Sequence, residues 1–96
     1  MYVTLTLFTT KPGMREVMEK LADDLFPVLS GLKGFKSTMF IADPEVDEYG
    51  GFAVWESKEA AEAAWATTGP RVQEAVSEIV KEPPTRRVFE VYEPKT

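Results

Sequence analysis

Residues 2 to 8, YVTLTLF, alternate in character: Val3, Leu5 and Leu7 fall on one side of an extended chain and Tyr2, Thr4, Thr6 and Phe8 on the other. This predicts a first strand. TTKPG then breaks the strand, with Pro12 suited to a first helical turn. From there Met14, Val17, Met18, Leu21, Ala22 and Leu25 recur at helical spacing, while Arg15, Glu16, Glu19, Lys20, Asp23 and Asp24 take the opposite face. Pro27 is expected to loosen or end this helix, and Gly31 and Gly34 mark the turn out. FKSTMFIA, residues 35 to 42, reads as a second strand with Phe35, Met39 and Ile41 opposed to Phe40. The acidic run DPEVDEYGG reads as a loop, with a third strand, FAVWE, starting near Phe52. Ser57 is placed to cap a helix and Glu59 suits its first turn, so an alanine-rich helix is predicted to about Ala66. TTGPR predicts a break, followed by a further helical run carrying Val72, Ala75, Val76, Ile79 and Val80. The two prolines of KEPP end that run, and RRVFEVY, residues 86 to 92, reads as the last strand.

The order β-α-β-β-α-β, with its second helical segment broken in two, predicts an α+β, ferredoxin-like domain over residues 1–96: an antiparallel sheet with both helices on one face. Large apolar residues on both sides of the first three strands are more than that arrangement needs. Helices cover one face only. A second copy of the chain is the simplest cover for the other, so a homodimer is expected.

Composition narrows the chemistry. The chain has 96 residues, and a domain this short buries only about 60–65 % of the surface its unfolded form exposes, which again favours self-association. It has no cysteine and no histidine. Disulfides, thiolate catalysis and cysteine zinc sites are therefore excluded, and the usual neutral-pH proton shuttle is missing. Eleven basic against sixteen acidic residues argue against nucleic-acid binding. TRR at 85–87 is the one tight basic cluster, read as a charged strand edge. The N-terminus lacks the pattern of a secretory signal and no apolar run approaches the roughly 20 residues that span a bilayer, so no membrane contact and a cytoplasmic location are expected. Asp43, Glu45 and Asp47 alternate as at the start of a calcium loop, but the glycine and distal glutamate such a loop needs are missing, and no metal site is expected.

KPG at 11–13, GF at 34–35, VWESKEAAEAAW at 54–65 and EPPTRRVFEVYE near the C-terminus occur in an order that spans nearly the whole chain. In these the chain resembles the antibiotic biosynthesis monooxygenase (ABM) domains of the dimeric α/β-barrel superfamily. The resemblance implies two sheets packed face to face in a homodimeric barrel, with a pocket between sheet and helices in each subunit. It also implies oxidation of activated aromatic substrates such as anthrones by O₂ without flavin, haem or metal, the deprotonated substrate supplying the electrons. A related branch degrades haem with an Asn on the first strand, a Trp on the second helix and an axial His beyond it. Trp65 matches that Trp, but Thr6 stands in place of the Asn and Ala75 in place of the His. Without the axial ligand, haem degradation is not expected.

Trp55, at the end of a strand, is expected to pack the strand–helix junction. Trp65 follows Ala60, Ala61, Ala63 and Ala64, which let the helix approach the sheet and leave one large ring prominent. It reads first as a core anchor, and the same position can also be a wall against which a flat ligand stacks. Thr4 and Thr6 share a strand face with Phe8 and are candidates to line the same pocket; Arg71 is a candidate to meet an anionic group. The substrate-binding candidates are thus Trp65, Thr6, Phe8 and Arg71. No general base is assigned: with no histidine, only a buried carboxylate such as Glu56 or Glu90 on the strands, or a water, could serve, and a substrate acidic enough to ionise in solution needs none. Two functions remain open. One is a cofactor-independent monooxygenase acting on a small aromatic or quinol-type molecule; the other is a non-catalytic dimeric barrel that binds a small molecule or serves as a structural module.

Overall fold

The computed structural model describes residues 1–95. Its elements are β1 (Tyr2–Thr9), α1 (Arg15–Ser30), β2 (Phe35–Asp43), a short 3₁₀ turn (Pro44–Val46), β3 (Glu48–Trp55), α2 (Lys58–Val76) and β4 (Thr85–Glu90). The strands form one antiparallel sheet in the order β2-β3-β1-β4. This is the ferredoxin-like α+β arrangement the alternating periods predict. Phe8 and Tyr49 of the sheet pack with Met18 and Leu25 of α1 and with Val72 and Val76 of α2, so both helices lie on the same face.

The register assigns the other positions. Thr4 and Thr6 share the helix side with Phe8, as do Gly51 and Ala53 opposite them on β3. The reverse face carries Val3, Leu5, Leu7, Phe52 and Val54, all partly buried, together with the exposed Met39, Ile41 and Phe89. Arg87 lies among them, its guanidinium 4.6 Å from the centre of the Phe89 ring, and Glu48 and Asp43 continue the same face at the hairpin end.

Several boundaries differ from expectation, each for a local physical reason. Phe35 pairs with Trp55 on the helix side, not with Met39 and Ile41, because the register shifts between Phe35 and Ser37 and the extra residue reverses the alternation. The Phe35 and Trp55 rings meet edge to face at 5.7 Å. Strand β3 begins at Glu48, four residues before Phe52, because Tyr49 continues the helix-side alternation and is buried opposite Phe8. The acidic loop shrinks to the 3₁₀ turn and Asp47, whose left-handed φ of 53° closes the hairpin and whose carbonyl accepts the Thr10 N–H at 2.9 Å. Pro12 lies in the turn before α1 and not in its first helical turn; the helix starts at Arg15, after Gly13 with φ 82°. At the other end β4 stops at Glu90, short of Tyr92.

Neither internal proline ends its helix. A proline removes the bond to the carbonyl four residues earlier, here Asp23 for Pro27 and Ala66 for Pro70. All four residues are exposed, so water can serve the carbonyls left without a donor. Helix α1 therefore runs on to Ser30, and α2 is one continuous helix from Lys58 to Val76 instead of two segments. Ser57 caps α2 as expected, its hydroxyl accepting the Ala60 N–H at 3.1 Å. The run ends earlier than the apolar pattern suggests, for Val80 leaves the helix and bridges to Thr10.

A candidate ligand cavity between sheet and helices

The buried core is divided. One cluster joins Phe8, Met18, Leu25, Tyr49, Val72 and Val76; the other joins Ala53, Trp55, Ala61 and Ala64. A partly open cavity of about 480 Å³ is bordered by both clusters. It exists because small side chains meet there. Thr4, Thr6, Gly51 and Ala53 on the sheet face Ala61, Ala64 and Thr68 on α2, and none of them fills the space between layers. Most native interiors leave no such void.

Polar groups in the cavity are few. Thr68 donates its hydroxyl to the Ala64 carbonyl at 2.9 Å and Thr38 to the Phe52 carbonyl at 2.9 Å, so both are occupied. Among the described residues the hydroxyls of Thr4, Thr6 and Tyr49 have no such partner, and all three residues line the cavity. The indole Nε1 of Trp55 is also without a hydrogen-bond partner among the described residues, but it is fully enclosed.

The most enclosed charge in the lining is Arg86. It pairs with Thr6 in the β1–β4 register, which turns its side chain to the helix face, where only 18 % of it is exposed. Its guanidinium lies 4.9 Å from the centre of the Trp65 ring, a cation–π distance. Its other contacts are long: Nη2 is 3.6 Å from a Glu62 carboxylate oxygen and 3.5 Å from the Ala61 carbonyl. A guanidinium has five N–H groups, so several are left to meet a ligand. Trp65 in turn lies against its own helix because Gly69 has no side chain; a Cβ there would stand 2.9 Å from Cε2 of the ring.

Of the residues singled out from sequence, Thr6, Phe8 and Trp65 border the cavity together, joined by Thr4. Arg71 does not; it is exposed on α2 and absent from the lining. The two strand carboxylates also lie outside, Glu56 exposed and 3.4 Å from Lys36, Glu90 exposed at the end of β4. Glu19 is the one carboxylate of the lining among the described residues; it pairs with Arg15 at 3.1 Å, and both side chains are more than half exposed at 61 % and 58 %. Trp55 packs the junction as expected, 2 % exposed, while also contributing to the cavity wall. Arg86 and Tyr49 were not singled out. Alternation in RRVFEVY does separate Arg86 from Arg87, but nothing local says which arginine turns inward. Among the described residues no three acidic side chains gather as a metal site would need, and no helix is long and apolar enough to cross a membrane.

No family model matches this sequence, and no curated protein does. Solved structures do. A candidate antibiotic biosynthesis monooxygenase from Nitrosomonas europaea superposes with a TM-score of 0.83 at 14 % identity, over 97 % of this chain and 100 % of that one. SnoaB, a cofactor-independent oxygenase from Streptomyces nogalater, matches with a TM-score of 0.77 at 17 % identity over 97 % and 94 %. The ActVA-Orf6 monooxygenase of Streptomyces coelicolor, solved with nanaomycin D, gives 0.79 at 17 % identity over 99 % and 90 %. The fold is that of the antibiotic biosynthesis monooxygenase-like domains. At these identities the likeness extends to the fold alone.

Proposed function

We propose that the protein is a cofactor-independent monooxygenase that oxidises a small, flat, electron-rich aromatic or quinol-type substrate with O₂. The observation that carries this is the Arg86–Trp65 pair in the wall of a largely apolar cavity, the guanidinium lying over the indole ring. A planar anion suits both, accepting N–H bonds from the arginine and packing against the indole under it. Oxygenases among the structural neighbours support the same reading.

For an anthrone-type ring system the chemistry balances without a cofactor. The methylene between two aromatic rings loses a proton to give a delocalised phenolate-like anion. That anion passes an electron to O₂, carbon and oxygen combine as a peroxide, and loss of water leaves a carbonyl: R₂CH₂ + O₂ → R₂C=O + H₂O. Glu19 is too exposed to act as an enclosed base, so the substrate enters already ionised. Arg86 selects the anion, and the free hydroxyls of Thr4 and Thr6 orient its oxygens. Two copies pack their reverse sheet faces together, covering Leu5, Phe52 and Met39. Leu5→Glu at the centre of that face converts the dimer to monomer in light scattering if the pairing is right.

The test is oxygen uptake with a hydroxylated anthrone, expected to consume one O₂ per quinone formed, at a rate well above the spontaneous one. Absence of an enclosed base among the described residues favours a second reading, a barrel that binds such molecules without turning them over. Quenching of tryptophan fluorescence without O₂ uptake would select it.

A further inference from the structure

The main cavity has a neighbour. A groove of about 440 Å³ runs between the outer side of α1 and the edge strand β2, walled by Phe26, Pro27 and Met39 with Asp23 at its side. Three residues border both spaces: Ala22, Thr38 and Phe40. Ala22 ends in a methyl group, and Thr38 is held to the Phe52 carbonyl by its hydroxyl, so neither swings aside. Phe40 is the one large side chain of the three that can. Its ring leans over Gly51, where a Cβ would stand 3.2 Å from Cδ1, yet the residue remains 41 % exposed on an edge strand. Phenyl rings so weakly enclosed change rotamer readily. The groove beyond is largely apolar on its α1 side, with Phe26 49 % exposed; Met39 closes it from the reverse sheet face, which the proposed pairing covers.

We propose that Phe40 is a specificity-determining partition, and that the ligand is a flat aromatic anion bearing a linear apolar substituent, which displaces the Phe40 ring and lies along Phe26 and Pro27. This rests on the proposed binding of the aromatic ring in the main cavity and adds the substituent to it. The ring is read by Trp65 and Arg86; chain length is read by the groove.

The probes are 2-hydroxy-3-alkyl-1,4-naphthoquinones, anionic at neutral pH, with substituents from methyl to octyl, and the readout is the dissociation constant from tryptophan quenching. Affinity should rise roughly three- to fourfold per methylene over the first few carbons. Phe26→Gln should lower the ratio of octyl to methyl affinity. Phe40→Ala should raise that ratio, since it removes the partition and also the ring's contact with the methyl compound. Opposite movements of one ratio would not follow from general destabilisation. A methyl compound that binds while chain length has no effect, or a ratio unmoved by Phe26→Gln, overturns the proposal and leaves the cavity reading standing. A flat ratio together with a Phe26→Gln change in dimer dissociation overturns it in favour of a second copy seated in the groove. Failure of even the methyl compound to bind removes the ring site and this proposal with it.

Discussion

Gly69→Ala tests how the site is held together. In an ordinary helix interior this change stabilises by roughly 0.5–1 kcal/mol, because alanine loses less backbone entropy and favours the helix. Here the new Cβ would lie 2.9, 3.0 and 3.2 Å from Cε2, Cδ2 and Cζ2 of Trp65. Three ring atoms inside normal contact distance mean the indole must move, and overpacking of this kind costs about 1–3 kcal/mol. Trp65 is only partly buried and borders the cavity, so the ring has somewhere to go and the lower end of that range applies. The two effects nearly cancel, leaving a net change between about zero and 1 kcal/mol destabilising. Because a domain of this size shifts by roughly 4–8 °C per kcal/mol, the melting temperature should hold steady or fall by a few degrees. The displaced ring should separate from Arg86, and loss of that cation–π contact, worth about 0.5–1 kcal/mol, is what carries the net change to the upper end of its range. Trp55 and Trp65 are the only tryptophans, so Trp55→Phe as background isolates the Trp65 emission. Urea unfolding and the emission spectrum of Gly69→Ala in that background form the assay. A variant stabilised by the full helix-propensity gain, with unchanged Trp65 emission, would show that the glycine does not make room for the ring.

Other outcomes follow from the same geometry. Trp55→Phe should destabilise by no more than about 1.5 kcal/mol in urea unfolding, since the smaller ring leaves a modest void but removes an enclosed N–H with no partner. A loss of 3 kcal/mol or more would mean that this N–H is bonded after all. Ala64→Leu, on the α2 wall of the cavity, should fill space that is already empty, so quinone quenching is lost while the melting temperature stays within a few degrees. A large fall in stability there would indicate that the layers are in full contact. Arg86→Leu should weaken an anionic naphthoquinone about tenfold or more while changing its neutral methyl ether little, and Arg86→Lys should restore the effect only in part, because an ammonium has neither the planar fork nor the stacking face. Equal losses for both ligands would assign Arg86 a purely structural role.

Much of the fold is legible in short-range patterns. Alternation over residues 2 to 8 and helical spacing from Met14 to Leu25 each describe a single element in contact with one layer, and the structure contains both. The Ser57 cap is equally local, depending on a hydroxyl and an amide three residues apart. The apolar character of both sheet faces is also plain, since it needs only the period of two. Prolines mislead because their cost depends on whether the abandoned carbonyl meets water. That is decided by where α1 and α2 dock, not by Pro27 or Pro70 themselves.

The site is a different matter. Thr6, Phe8 and Trp65 lie on elements whose inward faces the pattern identifies, so their convergence could be anticipated. Arg71 could not be placed correctly, nor Arg86 found, since one arginine on a helix and one on a strand look alike until the layers are stacked. The bulge after Phe35 reverses that residue's face, and it is visible only when β2 is paired with β3. Sequence by itself determined the elements, their order, the two apolar sheet faces and the absence of thiol and imidazole chemistry. Tertiary structure alone decided that small residues from β1, β3 and α2 meet at one level and leave a cavity, and that Arg86 turns into it beside Trp65. Covalent neighbours set local conformation, but a void and a charge within it are properties of surfaces brought together from distant parts of the chain.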